Sequence, residues 1–243
     1  QALATSAGVS QNSGSNAQNI DCSDIAAGSL NEADAKKLFA RFGVAVTREV
    51  AAETPEAAAE AAKDFDAPVV IKILSNEILH KSEMGGVALN VDPADVGAEC
   101  TAMLARVRAA TSAKIDGFLV QEMVKGGVEM ILGFNRDPQL GAYALLGAGG
   151  VTTELYKDAA IRLLPLDRAS ARDMIDEIKA GALLKGFRGS PKADIEALID
   201  TMVAFSGMAE TLEDRLREAE INPVFVLPEG QGTRAGDSLI VLD

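Results

Sequence analysis

The residues of this chain that could do chemistry are few and lie at strand ends. Lys72 closes the apolar run Val69-Val70-Ile71, and His80-Lys81-Ser82-Glu83-Met84-Gly85-Gly86 follows as a polar loop ending in glycine. A lysine fixed on a strand beside such a loop suits phosphate oxygens, because the ammonium is a compact positive charge and the loop supplies N–H donors. A solvent-facing lysine next to an ordinary hairpin would carry the same residue types. Further on, Val120-Gln121-Glu122-Met123-Val124 ends a strand, with Lys125-Gly126-Gly127 and Glu129 after it. An apolar segment with available backbone groups can hold a purine ring, and an acid a few residues on can accept both ribose hydroxyls. Acids at strand ends are also common for other reasons.

Scarce residues narrow the chemistry further. The 243 residues hold one histidine, which excludes any within-chain site that needs two, such as HExxH or a His-ligated zinc finger. Cys22 and Cys100 have no CxxC spacing, so they read as structural thiols in a reducing compartment. With 23 Lys plus Arg against 36 Asp plus Glu, the net charge of -13 disfavours nucleic acid and anionic membranes as partners. No GxxxxGK[ST] and no GxSxG occur. Gly147-Ala148-Gly149-Gly150-Val151-Thr152 approaches a dinucleotide fingerprint but has Thr152 where the third glycine is required. Apolar runs fall far short of the ~18 residues of a membrane-spanning helix, and no Lys/Arg-led apolar leader opens the chain. These features lead to the expectation of a soluble cytoplasmic protein. Its first residue, Gln1, suggests a processed product or a piece of a longer polypeptide.

The elements that must position these residues alternate helix and strand. Residues 1 to 30 are dominated by Ser, Asn, Gln, Gly and Ala and read as a linker or arm. Ser29-Leu30-Asn31-Glu32 has the form of a capping box, with Ala35, Leu38, Phe39 and Phe42 making an apolar helical face that Gly43 ends. Thr54-Pro55, Asp92-Pro93 and Ser190-Pro191 read as further helix starts. Strands are expected over 68–74, 86–91, 117–124, 128–134, 142–146, 159–164, 222–227 and 238–242. Helices are expected near 168–178 and 191–205, and the glycine-rich 228–236 reads as a hairpin connection.

From Ser29 onward the chain resembles the ATP-grasp domain of nucleoside-diphosphate-forming (ADP-forming) acyl-CoA synthetases, relatives of the β subunit of succinyl-CoA synthetase. The resemblance rests on ordered pieces: Val70-Ile71-Lys72, Leu79 to Val87, Gln121 to Val124, Gly133-Phe134-Asn135-Arg136-Asp137-Pro138, Gly147 to Gly150, Glu154 and Glu220-Ile221-Asn222-Pro223. It implies an α+β (α/β) fold of the ATP-grasp type, two α+β lobes with the nucleotide in the cleft between them. The implied division is an arm over 1–28, a lobe with the His loop over 29–118 and a lobe with the metal site over 119–243.

The resemblance implies roles as well. Lys72 and Lys81 meet ATP phosphates, Glu122, Met123 and Val124 hold adenine, and Glu129 takes the ribose. Arg136 lies near the phosphates, and Asn222, Asp237 and Glu154 serve Mg²⁺. His80 carries phosphate transiently, a role for which a neutral imidazole is a competent nucleophile near pH 7. The implied reaction is acyl-CoA + ADP + phosphate ⇌ carboxylate + CoA + ATP. ATP/ADP and Mg²⁺ are the implied cofactors. The partner is a CoA-binding α subunit, or upstream CoA-binding and ligase domains of the same polypeptide, within an oligomer. Two other classes stand beside this reading. One is a catalytically silent synthetase-like module of a protein acetyltransferase, against which His80, Asn222 and Asp237 argue. The other is ATP-grasp carboxylate-amine ligation, which leaves the His loop without a purpose.

Overall fold

The computed structural model describes residues 20–78, 81–149 and 158–243. In chain order these form β1 (Gly28–Ser29), α1 (Glu32–Arg41), β2 (Glu49–Ala52), α2 (Pro55–Ala62), β3 (Val69–Leu74), β4 (Val87–Val91), α3 (Val96–Ala110), β5 (Gly117–Glu122), β6 (Val128–Asp137), β7 (Gly141–Ala148), β8 (Ala159–Leu163), α4 (Arg168–Glu177), α5 (Gly181–Leu184), α6 (Ile195–Leu212), β9 (Leu216–Val226), β10 (Thr233–Ala235) and β11 (Ser238–Leu242).

The strands make two antiparallel sheets. The smaller has the order β2-β5-β3-β4, and the larger runs β1-β11-β9-β6-β7-β8 with β10 paired to β9. Every residue of β3 is buried, as a central strand covered on both faces requires. Successive side chains alternate between faces, so Val69, Ile71 and Ile73 pack against Ala58, Ala62, Val96, Cys100 and Met103 of α2 and α3. Val70, Lys72 and Leu74 therefore point the other way, and Leu74 meets Leu119 and Ala33 of α1. The larger sheet buries Met130, Leu132, Phe134, Ala144 and Leu146 against the α4–α6 side, where Phe205 of α6 stacks on Phe39 of α1 at 5.7 Å. Helix α1 thus belongs to the core of the larger sheet and also touches the back of the smaller one.

Several sequence expectations need correcting. Asn31, not Ser29, caps α1, its side chain accepting from Asp34 N–H at 3.0 Å, while Ser29 pairs with Val241 in the sheet. Glu32 is therefore free of any capping duty. Helix α6 starts at Ile195 with Asp194 as its cap, so Ser190-Pro191 lies in the preceding loop. Thr54 and Asp92 do cap, taking Ala57 N–H and Ala94 N–H. Lys72 lies inside β3, with Ile73 and Leu74 after it. The 228–236 connection contains β10, which folds back on Val224–Val226. The division at 118/119 falls within β5, a strand held on both sides by β2 and β3. Part of the expected arm is tied down: Arg215 donates to the carbonyls of Cys22 and Ile25 at 3.1 and 2.6 Å, and Cys22 is buried in the main core.

Candidate phosphate site between the sheets

The turn of residues 81–85 delivers Lys81 back towards β3. Gly86 N–H donates to Lys81 O and Gly86 O accepts from Ile73 N–H, both at 2.8 Å. A Cβ on Gly86 would come within 2.8 Å of Ile73 Cγ2, so only glycine lets the turn close this tightly on β3. His80, just before this turn, lies outside the described residues, as does Glu154.

Lys72 and Lys81 converge on one carboxylate that the sequence reading had placed elsewhere. Lys72 Nζ lies 2.5 Å from Glu32 Oε1 and donates to Gly236 O at 2.8 Å. Lys81 Nζ lies 3.1 Å from Glu32 Oε2 and 3.3 Å from Asp237 Oδ1, and Lys72 reaches Asp237 Oδ2 at 3.6 Å. The Lys81 contact is an ion pair without hydrogen-bond alignment, and Oε2 is buried with no donor aimed at it among the described residues. Lys36, one turn on from Glu32, lies 3.0 Å from Glu32 Oε1. Its ammonium also donates to Thr47 Oγ1, Glu49 Oε2, Gln121 Oε1 and Gly236 O at 2.7–3.0 Å. That single side chain ties α1 to the smaller sheet and to the β10–β11 turn.

Charge in this cluster is balanced, three lysines against Glu32, Glu49 and Asp237. Burial alone would push the Glu32 carboxyl up, but Lys72, Lys36 and Lys81 outweigh burial and hold it well below the usual carboxylate range. Burial pushes Asp237 up, an effect that Lys72 opposes and Glu32 reinforces. Its side chain is still 33% exposed, so water moderates that shift. For Lys81 burial works against the charged form, and Glu32 and Asp237 overcome it, leaving the ammonium above its ordinary value. Glu49 is raised by burial, with Lys36 opposing.

Asn222 and Asp237 are brought together as the sequence reading expected. Asn222 of β9 lies beside Asp237, the residue before β11, and its N–H donates to Asp237 O at 3.1 Å. The Asn222 amide donates to Glu220 Oε1 at 3.3 Å, and Asp237 Oδ1 accepts from Ser238 N–H at 2.7 Å. An amide carbonyl and a partly exposed carboxylate are hard oxygen donors that fit Mg²⁺. No group of three or more His, Cys, Asp or Glu poised for a metal occurs among the described residues.

Met123 to Gly127 cross from the smaller sheet to the larger. Glu122 is already engaged, its Oε1 accepting from Arg48 N–H and its own N–H donating to Arg48 O, both at 2.8 Å. Met123 and Val124 are half-buried and Glu129 is exposed at the start of β6. Gly149 N–H donates to Glu129 O at 2.9 Å, and a Cβ there would meet Glu129 C at 2.9 Å, which accounts for glycine in the Gly147 to Gly149 run. On this open face of the larger sheet a cavity of about 310 Å³ is lined by Ile131, Gly133, Asn135, Tyr143, Glu218 and Glu220.

Arg136 is not brought to the lysines. It sits at the far end of β6, seven residues or about 23 Å of strand beyond Glu129. There it donates to Glu213 O at 3.0 Å and pairs with Asp214. The residues missed from sequence are Glu32 and Lys36. Their available signal was a charged i,i+4 pair on the same helix flank as the apolar Ala35 and Phe39.

Comparison with known proteins identifies the family and the fold. The ATP-grasp domain family matches residues 22–242. The β subunit of acetate–CoA ligase [ADP-forming] II of Pyrococcus furiosus is 37% identical over 213 residues, covering 87% of this chain and 90% of that subunit. Acetate–CoA ligase [ADP-forming] I of Archaeoglobus fulgidus is 38% identical over 190 residues, but these are 78% of this chain and 28% of that longer protein. The dinucleotide forming acetyl-coenzyme A synthetase 1 of Ca. Korarchaeum cryptofilum, solved with coenzyme A, Ca-AMPCP and HgCl+, superposes with a TM-score of 0.83 at 37% identity, covering 89% and 94% of the two chains. These relatives are ligases, and nothing in them favours the silent-module reading. The chain belongs to the ATP-grasp domain family, on the branch that forms the β-subunit part of ADP-forming acyl-CoA ligases.

Proposed function

We propose that this chain supplies nucleotide binding and the phosphoryl-transfer step of an ADP-forming acyl-CoA ligase that catalyses acyl-CoA + ADP + phosphate ⇌ carboxylate + CoA + ATP. The observation that carries the reading is the convergence of Lys72 and Lys81 beside Asp237 and Asn222, at the junction of two sheets linked by the 122–127 segment. Lys72 and Lys81 bind phosphate oxygens. Asn222 and Asp237, with Glu154, hold Mg²⁺, which when bound neutralises phosphate charge. Backbone groups of Glu122 to Val124 hold adenine and Glu129 takes the ribose. The two lobes meet after β5, in the 123–127 crossing, a few residues beyond the division that the resemblance implies.

His80 serves as the phosphoryl carrier. In the direction of ATP formation its N–P bond breaks as the β-phosphate oxygen of ADP bonds to phosphorus, and the freed imidazole is neutral or protonated according to pH. The phosphoryl group reaches it from a histidine of the CoA-binding partner, either an α subunit or upstream domains. A structure of the Ca. Korarchaeum cryptofilum enzyme with Mg-AMPPCP has its phosphohistidine segment pointing towards the nucleotide binding site, which supports this reading. No helix among the described residues is long and apolar enough to cross a membrane. The family resemblance, not that absence, motivates the reading of a cytoplasmic enzyme working as an oligomer.

The test is phosphate transfer in the reconstituted enzyme. The chain, mixed with its CoA-binding partner and γ-labelled ATP, is expected to acquire acid-labile phosphate, and the His80→Asn variant is not. CoA-dependent ADP release with a panel of carboxylic acids completes the assay. Equal labelling of His80→Asn and wild type would remove His80 from the reaction.

A further inference from the structure

We infer that Glu32 is a positioning residue of the phosphate site: one buried carboxylate holds Lys72 on its Oε1 and Lys81 on its Oε2, presenting two ammonium groups to a nucleotide in a fixed arrangement. The inference rests on the phosphate-binding reading of those lysines.

Four observations carry it. The Glu32 side chain is 0% exposed, whereas Asp237, the other acid touching both lysines, is 33% exposed. Of the two, only Asp237 can exchange its lysine contacts for solvent or ligand without exposing buried charge. Lys72 and Lys81 come from separate segments, β3 and the turn of residues 81–85, and Glu32 is a buried group common to both. Lys36 keeps that carboxylate in place, since its ammonium is bonded to five groups on α1, β2, β5 and neighbouring turns. Finally, Asn31 caps the helix, so the Glu32 carboxylate is not used as the cap and is left to the lysines.

The consequence is a division of labour between two acids. On arrival of a polyphosphate, Lys72 and Lys81 exchange Asp237 for phosphate oxygens and keep Glu32. Lysine side chains lose much rotamer freedom when they bind, and a fixed counter-ion removes that loss beforehand. The same charge also repels the incoming anion, so the two roles of Glu32 predict opposite signs on its removal. If it only repels, Glu32→Gln binds nucleotide more tightly. If it positions, Glu32→Gln and Glu32→Asp both bind more weakly, the second because one methylene less draws the lysines back.

Isothermal titration of the chain with Mg·ATP and Mg·ADP decides between them. The expected result is a Kd raised about tenfold or more in each variant, the scale of one charge-assisted hydrogen bond, at unchanged stoichiometry. A purely structural residue would lower stoichiometry and Tm together and leave Kd alone. Unchanged or tighter binding in the variants would overturn the inference. Should Glu32→Gln fail to fold, Glu32→Asp, which keeps the charge, is read by itself on the same criteria. Failure of the wild type to bind either nucleotide would overturn the phosphate-site reading, which separates that failure from one confined to the variants.

Discussion

Lys36 lies 3.0 Å from the Oε1 atom of Glu32, the same oxygen that lies 2.5 Å from Lys72. One carboxylate oxygen therefore couples a lysine that locks the fold to a lysine aimed at the cleft. The first is bonded on all sides and has no capacity left for a ligand. The second keeps only Gly236 O and the longer contact to Asp237 besides. Stability and ligand binding thus meet at a single atom, and substitutions around it should separate the two.

Lys36→Met should destabilise the chain far more than it weakens nucleotide binding in the molecules that remain folded, where Glu32 has lost one of its anchors. Removing it strips Glu32 and Glu49 of a buried counter-ion and cuts the link from α1 to Gln121 and Gly236. Breaking a buried pair from one side costs about 3–5 kcal/mol. Urea unfolding of the variant measures the loss, and a change below about 1 kcal/mol would mean that this cluster behaves like an exposed pair.

Acid stability should carry the signature of Glu32. Its folded-state value lies below the ordinary 4.5, so its contribution is complete above pH 4.5 and drains away as pH falls towards the folded value. Asp237 has the opposite sign: raised above its ordinary 3.8, it contributes most below that pH and loses the contribution as pH rises through its folded value. Unfolding free energies of wild type and Glu32→Gln, taken between about pH 3 and 6, should therefore differ in slope, the wild type rising more steeply with pH. Parallel curves would show that the carboxylate titrates alike in both states.

How far the sequence revealed this site depends on whether a residue's role is local or tertiary. Lys72 was legible because the run Val69 to Ile71 marks a buried strand and period-two alternation places it on the face opposite Ile71. Asn222 and Asp237 were legible through the family resemblance, and the glycine-rich connection between two terminal strands accounts for their lying side by side. Glu32 was not. Ser29-Leu30-Asn31-Glu32 reads as a capping box, which gives Glu32 a local duty, and an i,i+4 pair with Lys36 ordinarily faces water. Only the packing of α1 between the sheets decides otherwise. Arg136, named through the family resemblance, lies near the end of β6 and pairs there with Asp214, not with the lysine cluster. The edge strand β2, Glu49-Val50-Ala51-Ala52, has almost no pattern of its own and exists by pairing with β5.

Neither cysteine should react while the chain is folded. Cys100 is completely buried on α3 and its thiol is pushed up to about 12 by burial, with Glu99 adding to the shift. Cys22 is buried where the chain enters the main core, and burial raises it too. At about 12 Cys100 holds almost no thiolate at pH 8, burial lowers the thiolate share of Cys22 as well, and the thiolate is the reactive form. Aromatic disulfide reagents should release colour slowly from native protein and at once from protein in guanidinium, with two equivalents per chain. Fast release of one equivalent from native protein would place a thiol in a different environment.

Asp237→Asn should trade a slight gain in stability for a loss of metal dependence. Burial makes the ionised carboxylate costly in the fold despite Lys72 and Lys81, and Glu32 nearby adds repulsion. An amide of the same shape escapes that cost at pH 7, and Ser238 N–H keeps an oxygen acceptor. Because the side chain is 33% exposed, the gain should be under about 1 kcal/mol, read as a small rise in denaturation midpoint. In the proposed Mg²⁺ role of Asp237, the same change would leave the ion one anionic oxygen short, so Mg·ATP should bind more weakly and saturate at higher Mg²⁺, while metal-free ATP binds at least as well because Lys72 and Lys81 have lost a competing anion. Weaker binding of metal-free ATP would show instead that Asp237 holds the lysines in place, a duty assigned here to Glu32.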